Sequence, residues 1–275
     1  MFRTTIAIIS LVFLMSCTTT PQVTPAVRAD LAPTGKLRVG INFQNMLLTR
    51  KDPVTGEAGG IALDLAHELG RRLGVPVEIV PYKTAGLLAE AVKTGKWDVA
   101  FLAADPQRAN EIAFTAPYAE IETTYLVPPG SPFRRVEDVD REGVRIAVGA
   151  KGGPDLALSR ILKRAQLVRA PTTAAASKLF VSDKLDALAG LRPTLALDAE
   201  RIPGSRLLDG RISVVGQAVG THKDRAAGAG YLREFVEDIK ASGQVARTIE
   251  KNGVRDLTVA PPAQGGSRIE IGGSM

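Results

Sequence analysis

The apolar positions of this chain form two successive sets of short continuous runs alternating with helix-period stripes. In the first set, Leu37 to Ile41 reads as a strand, with Asn42, Phe43, Gln44 and Asn45 at its carboxyl end. Residues 50–60, RKDPVTGEAGG, carry Asp-Pro and three glycines and predict a loop or hairpin. Ile61, Leu65, Leu69 and Leu73 then recur at four-residue spacing, with His67, Glu68, Arg71 and Arg72 on the opposite side. That is an amphipathic helix ended by Gly74, and its His67 faces solvent. Val75 to Val80 is a second strand, and Thr84 caps a helix running through Lys93 to a stop at Gly95. Val99 to Leu102 is apolar without alternation, as in a central parallel strand covered on both faces. Strand and helix in alternation predict right-handed crossovers and a mostly parallel sheet.

The strand from Thr123 to Val127 runs into Pro128-Pro129-Gly130-Ser131-Pro132, a boundary composition. A second set follows: strand Arg145 to Gly149, a glycine turn over residues 150–155, and a helix with Leu158, Ile161, Leu162 and Ala165 on one face. Strand Leu167 to Ala170, helix Thr173 to Val181 and strand Asp186 to Leu191 complete it. Ser213 to Gly220 reads as a return crossing, and helices Ala229 to Ala241 and Gln244 to Glu250 pack on the first set, the former through Tyr231, Phe235, Val236 and Ile239. The pattern therefore predicts an α/β chain of two lobes joined by a two-strand hinge, lobe 1 from residues 34–126 plus 218–260 and lobe 2 from 127–217. The cleft between such lobes is the natural ligand site. Residues 18–33 show no period and read as a flexible tether, and the glycine-containing stretch 261–275 as a disordered tail.

Composition narrows the function. The 275 residues carry a formal charge of +6, but lysine and arginine are scattered and aromatics are only 5%, so no nucleic-acid platform is expected. The chain has two histidines and one cysteine, with no Ser/His/Asp ordering, zinc spacing or dinucleotide fingerprint. No catalytic residue, metal or cofactor is expected. Residues 1–17 read as an export signal, with Arg3 before a short apolar core from Ile6 to Met15.

Candidate binding residues cluster at strand ends. Asp105-Pro106 suits an N-cap and first helical turn, which places Arg108 beside N–H groups that favour an anion. A guanidinium there could hold a carboxylate in two hydrogen bonds. Phe43 faces either a ligand's apolar part or the core, and Asn45 lies beside it. Gly152 belongs to a turn that could donate N–H groups to an anion, although the spacing of a phosphate-binding P-loop is absent.

The run Asp98-Val99-Ala100, Arg108-Ala109, Ile112, Phe114-Thr115 and Pro117-Tyr118 resembles the first-lobe signature of bacterial extracellular solute-binding proteins, family 3, the polar amino-acid type served by ABC importers. The similarity runs from about Gly35 to Gly253. It implies a two-lobed type II periplasmic binding fold, a small-molecule solute, an ABC permease in the inner membrane as partner, a monomer, and a periplasmic or extracytoplasmic location. It also implies that Arg108 grips the ligand's α-carboxylate. Leu14-Met15-Ser16-Cys17 resembles a lipobox, implying lipidation at Cys17 and membrane contact through that anchor alone. Two departures stand out. The family's carboxylate-binding threonine is missing from the shortened Ala103-Ala104-Asp105, and the aspartate that pairs with the ligand ammonium falls on Gly190 or Leu191. Glu122 or Asp105 is then the candidate negative partner for an amine. Alternatively, Arg192 is a second cation and the ligand an anion with one or two carboxylates. The competing expectation is an enzyme on the same scaffold, similar to cyclohexadienyl dehydratases or lytic transglycosylases, drawing its acid or base from Asp105, Glu120 or Glu122.

Overall fold

The computed structural model describes residues 21–52 and 54–263, so the expected export signal, Cys17 and most of the expected tail lie outside the described residues. The chain begins with α1 (Pro25–Leu31), β1 (Leu37–Asn42) and a small hairpin of β2 (Arg50–Lys51) and β3 (Ala58–Gly59). Then come α2 (Ile61–Leu73), β4 (Val77–Tyr82), α3 (Ala85–Glu90), β5 (Val99–Ala103), β6 (Ile112–Phe114) and β7 (Ala119–Val127). The second lobe holds β8 (Arg145–Gly149), α4 (Gly153–Ile161), β9 (Gln166–Ala170), α5 (Thr173–Ser182), β10 (Ala187–Leu191), α6 (Arg192–Arg201) and β11 (Arg206–Leu207). The chain returns through β12 (Ser213–His222) to α7 (Ala226–Ala241), α8 (Gln244–Lys251) and β13 (Thr258–Val259).

One sheet runs through both lobes in the order β4-β1-β5-β12-β7-β10-β8-β9. It is parallel at each end, over β4-β1-β5 and over β10-β8-β9. Through the middle it is antiparallel, because β7 and β12 cross between the lobes in opposite directions. Each crossing strand divides its partners. β7 pairs with β12 from Ala119 to Thr123 and with β10 from Thr123 to Leu126. β12 pairs with β7 from Ser213 to Gln217 and with β5 from Gln217 to Thr221. Thr123 and Gln217 are thus the residues at which the two strands change partner. At the first of them the Thr123 hydroxyl accepts from the Ser213 N–H at 3.0 Å and lies 2.8 Å from the Ser213 hydroxyl.

The segment expected to be a loose tether is anchored instead. Thr24 caps α1 by accepting from the Val27 N–H, and Pro25 presets the first turn. Val27 and Leu31 are buried against the core, and the Asp30 carboxylate accepts from the Gly228 N–H at 2.8 Å. A Cβ at Gly228 would sit 2.6 Å from a Leu31 methyl, so a larger residue there would have to push that buried side chain aside. A seven-residue helix is too short to show a stripe, and its stability comes from docking rather than propensity. The start of the expected tail is held as well: the buried Lys240 donates to the Pro261 carbonyl at 2.8 Å.

Lobe 1 is braced by a buried carboxylate. Asp98, fully buried at the entrance to β5, accepts from Arg38 Nε and Nη2 at 2.9 and 2.7 Å and from Arg225 Nη1 at 2.8 Å. The arginines come from β1 and from the residue capping α7, so one side chain ties the sheet to the returning chain. Removing it leaves two mostly buried guanidinium groups without their counter-charge. Asp98→Ala should cost about 3 kcal/mol in a urea titration. An unchanged midpoint would show that the triad contributes no net stability.

Candidate functional site

Between the lobes lies a cleft of about 90 Å³, room for roughly six waters or one small solute. Its floor is the point where strands change lobe: Phe101 and Ala103 of β5 beside Val215 and Gln217 of β12. Lobe 1 adds Asn42, Gln44, Asn45 and Thr49 from the loop after β1. Lobe 2 adds Gly152 and Gly153 at the start of α4, Thr173 and Ser177 of α5, and Leu191, Thr194 and Asp198 around α6. The lobes touch directly across the cleft, where Gln44 Nε2 donates to the Thr173 hydroxyl at 3.3 Å.

Two helices begin at this cleft without a side-chain cap. Gly152 precedes α4 and Leu191 precedes α6, and neither cap residue's side chain bonds the first turn. First-turn N–H groups have no carbonyl of their own helix to bond, and with the helix dipole they favour a negative group. Gly153 packs against Val215, where a Cβ would come within 3.0 Å, so the glycine brings the α4 backbone against the hinge strand. Among the lining residues Asp198 alone carries a charge, and its carboxylate accepts from the Ser177 hydroxyl at 2.7 Å. An acceptor of positive charge and two ends that favour negative charge therefore share one small cavity. Among the described residues no group of three or more His, Cys, Asp or Glu side chains is placed to hold a metal ion.

The residues singled out from sequence divide. Gly152 and Asn45 line the cleft. Asn45 turns its side-chain oxygen to the Leu47 N–H at 3.2 Å. Phe43 is absent from the lining; it packs on the lobe 1 core, and Lys51 lies over its ring. Asp105 is buried in an ion pair with Arg160 of lobe 2, at 2.5 Å, and also accepts from the Gln107 N–H. No helix of any length follows it, only a single 3₁₀ turn over Arg108–Asn110.

Arg108 is buried and also stands outside the lining. Its Nη1 donates to the Ala103 carbonyl and its Nη2 to the Lys151 carbonyl, each at 2.8 Å. Burial pushes its pKa down, opposed by nearby Asp105. The guanidinium thus joins lobe 1 to lobe 2 through backbone oxygens. The carbonyl it reaches belongs to a residue in left-handed conformation, Lys151 at φ 56°, held there by its N–H bond to Asp155 and by an ion pair with Glu90 of lobe 1.

Glu122 and Arg192, expected as alternative ligand contacts, meet each other. Arg192 Nε donates to Glu122 at 3.0 Å and its Nη2 to the Gly210 carbonyl, while Arg211 holds the other oxygen of Glu122 at 3.3 Å. Together they pin the first residue of α6 to the crossing strand, and neither lines the cleft. The clamp of Arg108 with Arg192 is not assembled, because each guanidinium is already satisfied elsewhere. Asp198, Ser177, Gln217, Thr49, Thr173 and Thr194 are polar lining residues that sequence reasoning missed. Pro193, at the second position of α6, was the available sign of that helix.

The model of the bacterial extracellular solute-binding proteins, family 3, matches residues 37–254. No curated protein matches the chain. Among solved structures, the ancestral amino acid-binding protein AncCDT-1, a precursor of cyclohexadienyl dehydratase, is 26% identical with a TM-score of 0.67, over 79% of this chain and 95% of that one. A mutant of ArgBP from T. maritima is 24% identical with a TM-score of 0.69, over 83% and 99%. An amino acid ABC transporter substrate-binding protein from Streptococcus pneumoniae Canada MDR_19A, bound to L-arginine, is 22% identical with a TM-score of 0.69, over 86% and 99%.

Replacing Arg108 by Gln would remove the charged donor from two carbonyls on opposite lobes. The variant should lose about 2 kcal/mol of stability in urea. A variant as stable as the parent would show that these contacts do not brace the lobes.

Proposed function

The chain belongs to the bacterial extracellular solute-binding proteins, family 3, and on that footing we propose that it captures a small amino-acid-like solute outside the cytoplasm for an ABC permease. The observation that carries this reading is the charge layout of the interlobe cleft. The uncapped start of α4 suits a carboxylate, and Asp198 suits an ammonium. The missing aspartate at the end of β10 is offset by this one, two turns further along α6, so an amine need not be buried without a counter-charge. The similar structure of AncCDT-1 is that of an amino acid-binding protein, which agrees with a zwitterionic ligand. The chain's own ligand would close the lobes by bridging groups from both, as hinge-bending receptors do.

The same comparison names a dehydratase descended from AncCDT-1, so catalysis is the reading to set beside this one. A dehydration needs a proton donor or acceptor at the reacting atom. The one ionisable side chain lining the cleft, Asp198, is also the natural counter-charge for an amine, and this favours capture over turnover.

Thermal unfolding against a panel of amino acids and of carboxylates lacking an amine separates the ligand classes, because a solute that binds only the folded chain raises the melting temperature. Amino acids should stabilise and amine-free acids should not. Asp198→Asn should weaken binding of the best amino acid about 100-fold, measured by titration calorimetry. Undiminished affinity in that variant would remove Asp198 from the site, and turnover of a prephenate-like substrate would replace capture by catalysis.

A further inference from the structure

We propose that Gln217 is a specificity-determining residue of the cleft, and that its carboxamide selects solutes with a hydrogen-bonding group at the far end of the side chain. The inference rests on the amino-acid reading above and goes beyond it. Gln217 is 3% exposed, yet it lines the cavity. Its backbone is fixed: the carbonyl accepts from the Tyr118 N–H at 2.8 Å, and the residue pairs with both Ala119 and Ala103. Its side chain makes no hydrogen bond among the described residues. Elsewhere on the wall Ser177 bonds Asp198, Gln44 bonds Thr173 and Thr49 donates to the Asn45 carbonyl at 3.0 Å, while the Thr194 hydroxyl, like the Gln217 amide, has no hydrogen bond among the described residues.

A carboxamide has two donors and an acceptor; open to the cleft they can bond water, and a ligand that covers them without pairing them leaves them unsatisfied, which is costly. Around it the floor is apolar, formed by Phe101, Ala103 and Val215. A solute whose side chain ends in a polar group can satisfy the carboxamide. One that ends in a methyl buries it against hydrocarbon. The position adds a second consequence. Gln217 is the residue at which β12 passes from β7 to β5, so a solute bound to its amide is held by a strand that joins the two lobes.

The test compares the parent with Gln217→Met, which keeps length and removes the amide. Affinities for lysine, arginine and glutamine are set against norleucine, similar in length and apolar at its end. The parent should prefer at least one polar amino acid over norleucine by about 10- to 100-fold. Gln217→Met should bring that preference to within about threefold, mainly by binding norleucine better. A variant that keeps the preference, or that weakens all ligands equally, overturns the proposal. The melting temperature without ligand gives an independent readout. If the amide has no structural partner, Gln217→Met should melt at or above the parent, and a fall of more than about 3 °C would overturn the proposal. A parent that binds no amino acid would refute the solute class, whereas the unliganded melting temperatures would still decide whether the Gln217 amide is free.

Discussion

Everything in this molecule depends on two antiparallel strands that each belong to both lobes. β7 and β12 hydrogen-bond to one another through the middle of the sheet, and each continues into the opposite lobe as part of a different ladder. A ladder cannot change partner without a residue at which it does so, and those residues are Thr123 and Gln217. The cleft is the geometric result. The parallel ends of the sheet present the carboxyl ends of β5 and β8 and the loops that follow them from two sides, and ligands collect at such ends. The crossing strands form the floor between them. An interior this narrow admits few side chains, so each polar group on its wall weighs heavily.

Charge is distributed to match. The cations that sequence places nearest the ligand are consumed in holding the lobes together. Arg108 spans two backbone carbonyls and Arg192 pairs with Glu122. What lines the cavity is one carboxylate, the carboxamide of Gln217, several other neutral polar side chains and the starts of two helices without a side-chain cap. Backbone N–H groups can bind a carboxylate without a buried cation beside it. Asp198 then answers an ammonium without a second acid to repel it. Interlobe arginine and ligand charge are in this way kept apart, the arginines outside the lining of the cleft and Asp198 within it.

Much of the fold was legible because hydrophobic periodicity reports burial directly. Leu65, Leu69 and Leu73 are each fully buried on α2, and the unbroken run from Val99 to Leu102 is the buried β5. Helix α1 was hidden because its anchors, Asp30 to Gly228 and Leu31 against α7, lie at the far end of the sequence. Helix α6 was hidden by its weak amphipathic pattern, with only Pro193 and Leu195 buried. The site was harder to read than the fold. Gly152 and Asn45 could be placed from strand ends and a glycine turn. The partners of Arg192 and Arg108 could not, since Glu122 lies 70 residues from the first and Lys151 43 residues from the second. Whether a guanidinium faces a ligand or a carbonyl is decided by tertiary packing, and a local motif carries no record of it.

The most direct measurement is a crystal structure of the protein with its best-binding amino acid. The ligand carboxylate should lie within 3.2 Å or so of the first-turn N–H groups of α4, and its ammonium should meet Asp198, with Arg108 still bonded to Ala103 and Lys151. A carboxylate seated on the Arg108 guanidinium, with the Lys151 carbonyl released, would contradict the account and return that arginine to the ligand.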